Sequence, residues 1–187
     1  KEFDLFSAEF LYYTLKTLSE NKKNISIALS GGSTPLPILR ILKKYKLNWE
    51  YFNFFMVDER NVSISSSSCN YGNIEKVFLR YVNSSSHSMI NDNNSIEKCA
   101  INYEKLLRSK IPLGENNLPV FDLILLGIGD DGHTASLFPD TKGLNEIKKA
   151  VIKNSVPQLN TDRITLTYPV LLNASKIIIL AKGETKN

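Results

Sequence analysis

In 187 residues the chain has only two cysteines, two histidines and one tryptophan. Cys69 and Cys99 stand alone with no CxxC spacing. That excludes a disulfide framework and a cysteine-based metal site, and it points to a reducing, cytoplasmic compartment. No apolar run approaches the length of a membrane span, and no signal-peptide pattern is present. The net charge is only +4, with Lys and Arg scattered rather than clustered, which argues against nucleic acid as the main partner. The Asp, Glu and His spacing matches neither a zinc nor a calcium site, so no metal is expected. No repeat is evident. There is no Gly-x-Ser-x-Gly elbow, so Ser136 reads as a capping or structural hydroxyl rather than a nucleophile.

What is present is an ordinary globular composition, 42% hydrophobic and 22% charged, in a length that suits one domain over residues 1–187. The chain reads as a fragment. It starts at Lys1 without Met and stops just after Gly183-Glu184-Thr185-Lys186. The polar stretches 63–68 and 84–94 read as surface loops.

Apolar spacing at Phe3, Phe6, Phe10, Tyr13 and Thr17 predicts a helix over Glu2 to Ser19. Further helices are predicted over Pro35 to Tyr45, with Thr34 as N-cap, over Tyr71 to Val82 and over Ser95 to Lys110. A short helix is expected around Gly143 to Lys149. Strands are predicted at Ile25 to Leu29, Tyr51 to Val57, Phe121 to Leu126, Ile164 to Thr167 and Ile177 to Ala181. Strands alternating with helices imply an α/β fold, a mostly parallel central sheet covered on both faces.

Residues 127 to 138, Gly-Ile-Gly-Asp-Asp-Gly-His-Thr-Ala-Ser-Leu-Phe, are the most informative stretch. They leave a predicted buried strand through a Gly-rich turn carrying Asp130, Asp131 and His133. A histidine beside carboxylates can be held in one tautomer and used as a base near neutral pH. Taken alone, His133 reads equally well as a structural loop histidine. The run fits the dinucleotide pattern GxGxxG, but two carboxylates in the loop would repel a pyrophosphate and Pro139 limits any following helix.

Three other motifs leave predicted strand ends. Ser30-Gly31-Gly32-Ser33-Thr34-Pro35 opens a helix and offers backbone N–H groups to an oxyanion. No Gly-Lys-Ser/Thr follows, so it is not a Walker A loop. Asp58-Glu59-Arg60 offers two carboxylates and a guanidinium. The segment Gly183 to Lys186 follows the last strand. Arg163 and Lys186 are basic residues near late strand ends, placed to close over a phosphate. Four loops on one edge of a sheet would build one pocket. His87, in a Ser-rich loop, is given no role.

Taken together, Ser30 to Pro35, Asp58-Glu59-Arg60, Cys69-Asn70-Tyr71-Gly72, Leu126 to Pro139, Arg163 to Thr167 and Gly183 to Lys186 resemble, in order, the 6-phosphogluconolactonases. Those enzymes share a superfamily with the glucosamine-6-phosphate isomerases/deaminases. The resemblance implies a Rossmann-like three-layer α/β/α fold, no metal and no cofactor. It implies hydrolysis of 6-phosphogluconolactone to 6-phosphogluconate, the second step of the oxidative pentose phosphate pathway, with a small sugar phosphate lactone as partner. Carried over by position, Gly31, Gly32, Ser33 and Thr34 would cradle the phosphate, Arg163 and Lys186 would be its cationic partners, and Asp58 would join the substrate site. His133 would be the general base, and Asp131 and Arg60 would support it or the substrate. Cys69 departs from the usual Ser. The Asn-rich composition resembles the lactonase portion of the glucose-6-phosphate dehydrogenase/lactonase fusions of malaria parasites, which implies a covalently fused dehydrogenase domain.

Two rival readings share the phosphate site. An aminosugar-phosphate isomerase/deaminase needs a further acid/base partner, and the deaminase pattern GHxAFNEP carries a Glu five residues after its His, where this chain has Phe138. A non-catalytic sugar-phosphate-binding regulator would have no need of His133.

Overall fold

The structure, a computed structural model, describes residues 1–183. The first half runs α1 (Glu2–Asn21), β1 (Ile25–Leu29), α2 (Pro35–Leu42), β2 (Phe52–Met56), β3 (Asp58–Arg60), α3 (Asn70–Val77) and β4 (Ser85–Ser86). The second half runs α4 (Ile96–Lys110), β5 (Leu123–Gly127), β6 (Val151–Val156), β7 (Thr161–Leu166), α5 (Tyr168–Leu172) and β8 (Ile177–Leu180).

Five strands form a parallel sheet in the order β4-β2-β1-β5-β8, with helices on both sides. Every residue of the central strand β1 is buried, as a strand covered on both faces requires. A T-shaped pair of Phe55 and Phe121 and a cluster of Trp49, Phe52, Phe54 and Phe78 fill the core around β2. Among the described residues, no helix is long and apolar enough to cross a membrane.

The sheet agrees with the sequence reading, but part of the chain departs from it. The strand expected at Ile164 to Thr167 lies outside the parallel sheet. It is β7, the middle of a second, antiparallel sheet ordered β3-β7-β6. Asp58 to Arg60 is therefore a strand rather than a loop. The strand before β7, β6 with Val-Ile-Lys-Asn-Ser-Val, has too many polar residues to stand out by apolar pattern. Val57 joins the two sheets: its N–H donates to Leu29 O in one (3.0 Å), and its carbonyl accepts from Leu166 N in the other (2.9 Å).

Helix α1 forms where expected but turns the other face inward. Ser7, Ala8, Leu11, Thr14 and Leu15 are buried, while Phe6, Phe10 and Tyr13 are 71%, 50% and 56% exposed. Two stripes of helical spacing run along this segment. The buried one carries the smaller side chains, which let α1 approach α2 closely. Helix α2 ends three residues early at Leu42, and Thr34 stands at its N-cap in helical backbone without a capping hydrogen bond. Helix α3 breaks at Phe78, and a 3-10 turn over Leu79–Tyr81 replaces its predicted end. The short helix expected around Gly143 is a 3-10 turn at Lys142–Asn145, and helix α5 links β7 to β8.

The inverted face of α1 has a measurable consequence. Leu11→Ala should cost about 2–5 kcal/mol in urea denaturation, and Phe6→Ser no more than about 0.5 kcal/mol. Comparable costs would mean that Phe6 is part of the core.

Candidate active site

A cavity of about 510 Å³ opens at the carboxyl ends of β1 and β5 and against β3 and β7. It is lined by Gly31, Gly32, Ser33 and Thr34 from the glycine loop, and by Asp58 and Arg60 from β3. Asp131 and His133 face it from the loop after β5, and Arg163 from β7. The structure thus brings together every residue expected from the sequence except Lys186, which lies outside the described residues.

The His133 loop is built from its own backbone. Gly129 N–H donates to His133 O (2.8 Å) and Gly132 N–H to Gly129 O (3.1 Å). Thr134 Oγ1 donates to Gly127 O (2.9 Å), tying the loop to the end of β5. This fold leaves no room for a side chain at position 129, where a Cβ would stand 2.2 Å from the His133 ring. The ring is fixed on two sides. Its face stacks on Phe138 with centroids 3.8 Å apart. Its Nδ1 meets Asp131 Oδ1 at 2.5 Å, and the same oxygen accepts His133 N–H at 3.2 Å. Partial burial raises the Asp131 pKa, but the ring and backbone hydrogen bonds of His133 outweigh it and hold the carboxyl below its ordinary value. An ionised carboxylate can only accept, so Nδ1 carries a proton, and in the neutral ring the lone pair lies on Nε2. Asp131 Oδ1 is thus bonded to both the ring and the backbone of His133.

Opposite this loop, Arg60 and Arg163 face each other in register across β3 and β7. Like charges directly opposite are unfavourable unless compensated. Burial lowers the Arg163 pKa, and Arg60 lowers it further; Asp58 and Glu59 act in the opposite sense. Arg60 Nη1 donates to Ser68 O at 2.6 Å. A dianionic ligand between the two guanidiniums would relieve their repulsion.

Glu59, one of the two carboxylates of its motif but given no role of its own in the sequence reading, holds this wall in place. It is fully buried. Its Oε1 accepts N–H from Arg60 and Asn70, both at 2.8 Å. Its Oε2 accepts from Tyr71 N–H at 2.8 Å and from Cys69 Sγ at 3.3 Å. The carboxylate therefore caps α3 from a neighbouring strand. Burial pushes its pKa up, against the pull of those N–H groups. Cys69 stands at the N-cap of α3, where its Sγ accepts from Gly72 N–H at 3.4 Å. Burial pushes its thiol up to about 11, so it is poorly reactive. Asn70, presented by the same cap, donates through Nδ2 to Asp58 O at 3.1 Å and lines the cavity. No sequence signal separated Glu59 or Asn70 from an ordinary surface motif, since their work is done through backbone groups.

Among the described residues, six buried side-chain atoms have no hydrogen-bond partner, and four of them belong to residues lining this cavity: Ser30 Oγ, Arg60 Nε, Asn70 Oδ1 and Arg163 Nε. Buried polar groups are seldom left unpaired, so their clustering marks a place built to receive a polar ligand. His87 lies elsewhere, its ring tilted against Phe55 at 4.7 Å.

A family model described as glucosamine-6-phosphate isomerases/6-phosphogluconolactonase matches residues 5–187. The chain belongs to this family. It is 38% identical over 163 residues to a 6-phosphogluconolactonase of Chlamydia pneumoniae, covering 86% of this chain and 61% of that relative. It is 36% identical over 167 residues to a 6-phosphogluconolactonase of Synechocystis sp., covering 86% and 68%. A crystal structure of 6-phosphogluconolactonase from Thermotoga maritima superposes with a TM-score of 0.89 at 29% identity, over 100% of this chain and 83% of that one. The chain spans about three fifths of the length of the first of these curated relatives.

The two carboxylates make separable predictions. Asp131 is half exposed, so its pairing with His133 adds little to stability. Because its folded pKa is depressed, that contribution is present above its ordinary value of 3.8 and lost as pH falls below it. Asp131→Asn should leave the melting temperature at pH 7 within about 3 °C of wild type. Glu59→Gln puts an amide donor against N–H donors and should cost about 1–3 kcal/mol by chemical denaturation. The reverse ranking would contradict these assignments.

Proposed function

We propose that this chain hydrolyses 6-phosphogluconolactone to 6-phosphogluconate. The observation that carries the reading is the environment of His133. Its Nδ1 is engaged by Asp131 and its ring face by Phe138, which leaves Nε2 as the one ring nitrogen for chemistry beside a cationic wall.

The phosphate docks between Arg60, Arg163 and the glycine loop that precedes α2, fixing one end of the substrate. Gly32, at φ 99°, bends that loop in a conformation other residues rarely adopt. His133 Nε2 takes a proton from water as the water oxygen attacks the lactone carbonyl. Negative charge develops on the carbonyl oxygen, where backbone N–H groups of the 127–132 loop or the Arg60 guanidinium receive it. The tetrahedral intermediate collapses with cleavage of the ring C–O bond, and His133 returns the proton to the leaving ring oxygen. Asp131 holds the imidazole in the required tautomer and favours the imidazolium formed between the two transfers.

The isomerase/deaminase reading is weaker at one position. Its extra carboxylate falls at Phe138, and here that side chain is a buried ring stacked on the histidine. Such a ring can neither take nor give a proton. Both cysteines are free and buried, in keeping with a reducing, cytoplasmic setting.

Acid release from freshly generated 6-phosphogluconolactone, followed against the spontaneous rate, tests the reading. Wild type should accelerate hydrolysis, and His133→Ala should lose about 10²–10⁴ in kcat while retaining the fold. Near-wild-type turnover by that variant would remove His133 from the role of base. A folded wild type that binds 6-phosphogluconate without accelerating hydrolysis would point instead to a sugar-phosphate-binding regulator.

A further inference from the structure

Ser136 lies three residues beyond His133, and each of its polar groups is bonded to a different strand of the antiparallel sheet. Its N–H donates to Thr165 Oγ1 of β7 at 3.2 Å. Its carbonyl accepts from Asn154 Nδ2 of β6 at 2.8 Å. Its hydroxyl donates to Asp58 Oδ2 of β3 at 2.6 Å. Asn154 is itself held, with Nδ2 also donating to Thr141 Oγ1 at 3.0 Å and Oδ1 accepting Gly143 N–H at 3.1 Å. Ser136, Asp58, Asn154 and Thr165 are all buried. The loop reaches this anchor through Ala135, whose φ of 54° puts it in the left-handed region. A non-glycine residue there is held only where its surroundings over-determine it.

The same Asp58 is the carboxylate next to the two opposed arginines. Charges of Arg60, Arg163 and His133 all act on it. The arginines belong to β3 and β7, the histidine to the loop that Ser136 fastens. One buried side chain thus touches the loop that carries the base and supplies the counter-charge beside the wall that would hold the phosphate. Burial pushes the Asp58 pKa up, while the Ser136 hydrogen bond and those three charges pull it down.

We infer that Asp58 and Ser136 form a positioning pair, which sets the distance and orientation between the His133 loop and the Arg60–Arg163 wall. This gives Asp58 a role other than substrate ligand, and it rests on the lactonase reading above. In a rigid lactone phosphate, the spacing from phosphate to carbonyl is set by the sugar. An enzyme acting on it needs the matching spacing between anion site and base, and misplacement by about 1 Å costs on the order of 100-fold in rate. The pair therefore works on kcat more than on KM, and its two members work through one link.

The test is steady-state kinetics on Asp58→Asn, Ser136→Ala and the double variant, with melting temperatures measured alongside. Each single variant should lose at least about tenfold in kcat with KM within about threefold of wild type. The double variant should be no worse than Asp58→Asn alone, because one change removes the charged acceptor and the other the donor of the same hydrogen bond. Ser136→Thr, which keeps the hydroxyl, should recover most of the loss caused by Ser136→Ala. Losses carried by KM would make Asp58 a substrate ligand and overturn the inference, as would additive losses in the double variant. If Asp58→Asn does not fold, Ser136→Ala and Ser136→Thr decide alone. Should wild type itself fail to hydrolyse the lactone, the lactonase reading fails, and the positioning claim is read separately from the His133 side-chain NMR resonances. These should move in Ser136→Ala and stay in place in the surface control Asp92→Asn; unmoved resonances in Ser136→Ala would overturn the pair.

Discussion

The backbone of Val57 is bonded to both sheets at once, and the site is arranged around that constraint. Its N–H completes the parallel ladder against β1, and its carbonyl starts the antiparallel pairing with β7. Neither group can be spared, because an unpaired backbone group at a fully buried position is costly. The strand must therefore leave one sheet and enter the other within one residue. The next three residues are Asp58, Glu59 and Arg60, and the switch presents them at the end of the parallel sheet, where open α/β folds leave a crevice. Asp58 reaches the His133 loop, Glu59 caps α3, and Arg60 meets Arg163.

Charge is handled by burial with compensation rather than by exposure. Two carboxylates and two guanidiniums share a small volume, and three of the four are tied to groups on other elements: Glu59 to the start of α3, Asp58 to Ser136, Arg60 to the carbonyl of Ser68. Buried charges with several fixed partners lose little further freedom when a ligand arrives, which is the physical meaning of preorganisation. The unpartnered atoms of Ser30, Asn70 and the two arginines, counted among the described residues, are what such a frame leaves over for a ligand.

Much of this was legible in the sequence, for identifiable reasons. The strands β1 and β5 are short apolar runs followed by glycine-rich turns, so their existence and the chemistry at their ends could be read directly. The residues of the glycine loop, His133, Asp131, Arg60 and Arg163 converge as expected. The antiparallel sheet was not legible, because β6 mixes Lys, Asn and Ser with its valines and β3 is only three residues long. The buried face of α1 could not be read from the spacing that identified the helix, because two stripes of helical spacing run along it and the one with smaller side chains packs inward. Glu59 and Ser136 were underrated for a common reason: their importance lies in backbone groups and strands distant in sequence, which a linear motif does not display.

The central claim is that the cavity holds a sugar phosphate with its phosphate on the arginine wall and its first carbon at the histidine. A crystal structure with 6-phosphogluconate bound tests this most directly. The account predicts the phosphate within hydrogen-bond distance of Arg60, Arg163 and the 31–34 loop, and the product carboxylate within reach of His133 Nε2. A phosphate seated at His133, or a sugar bound outside this cavity, would contradict it.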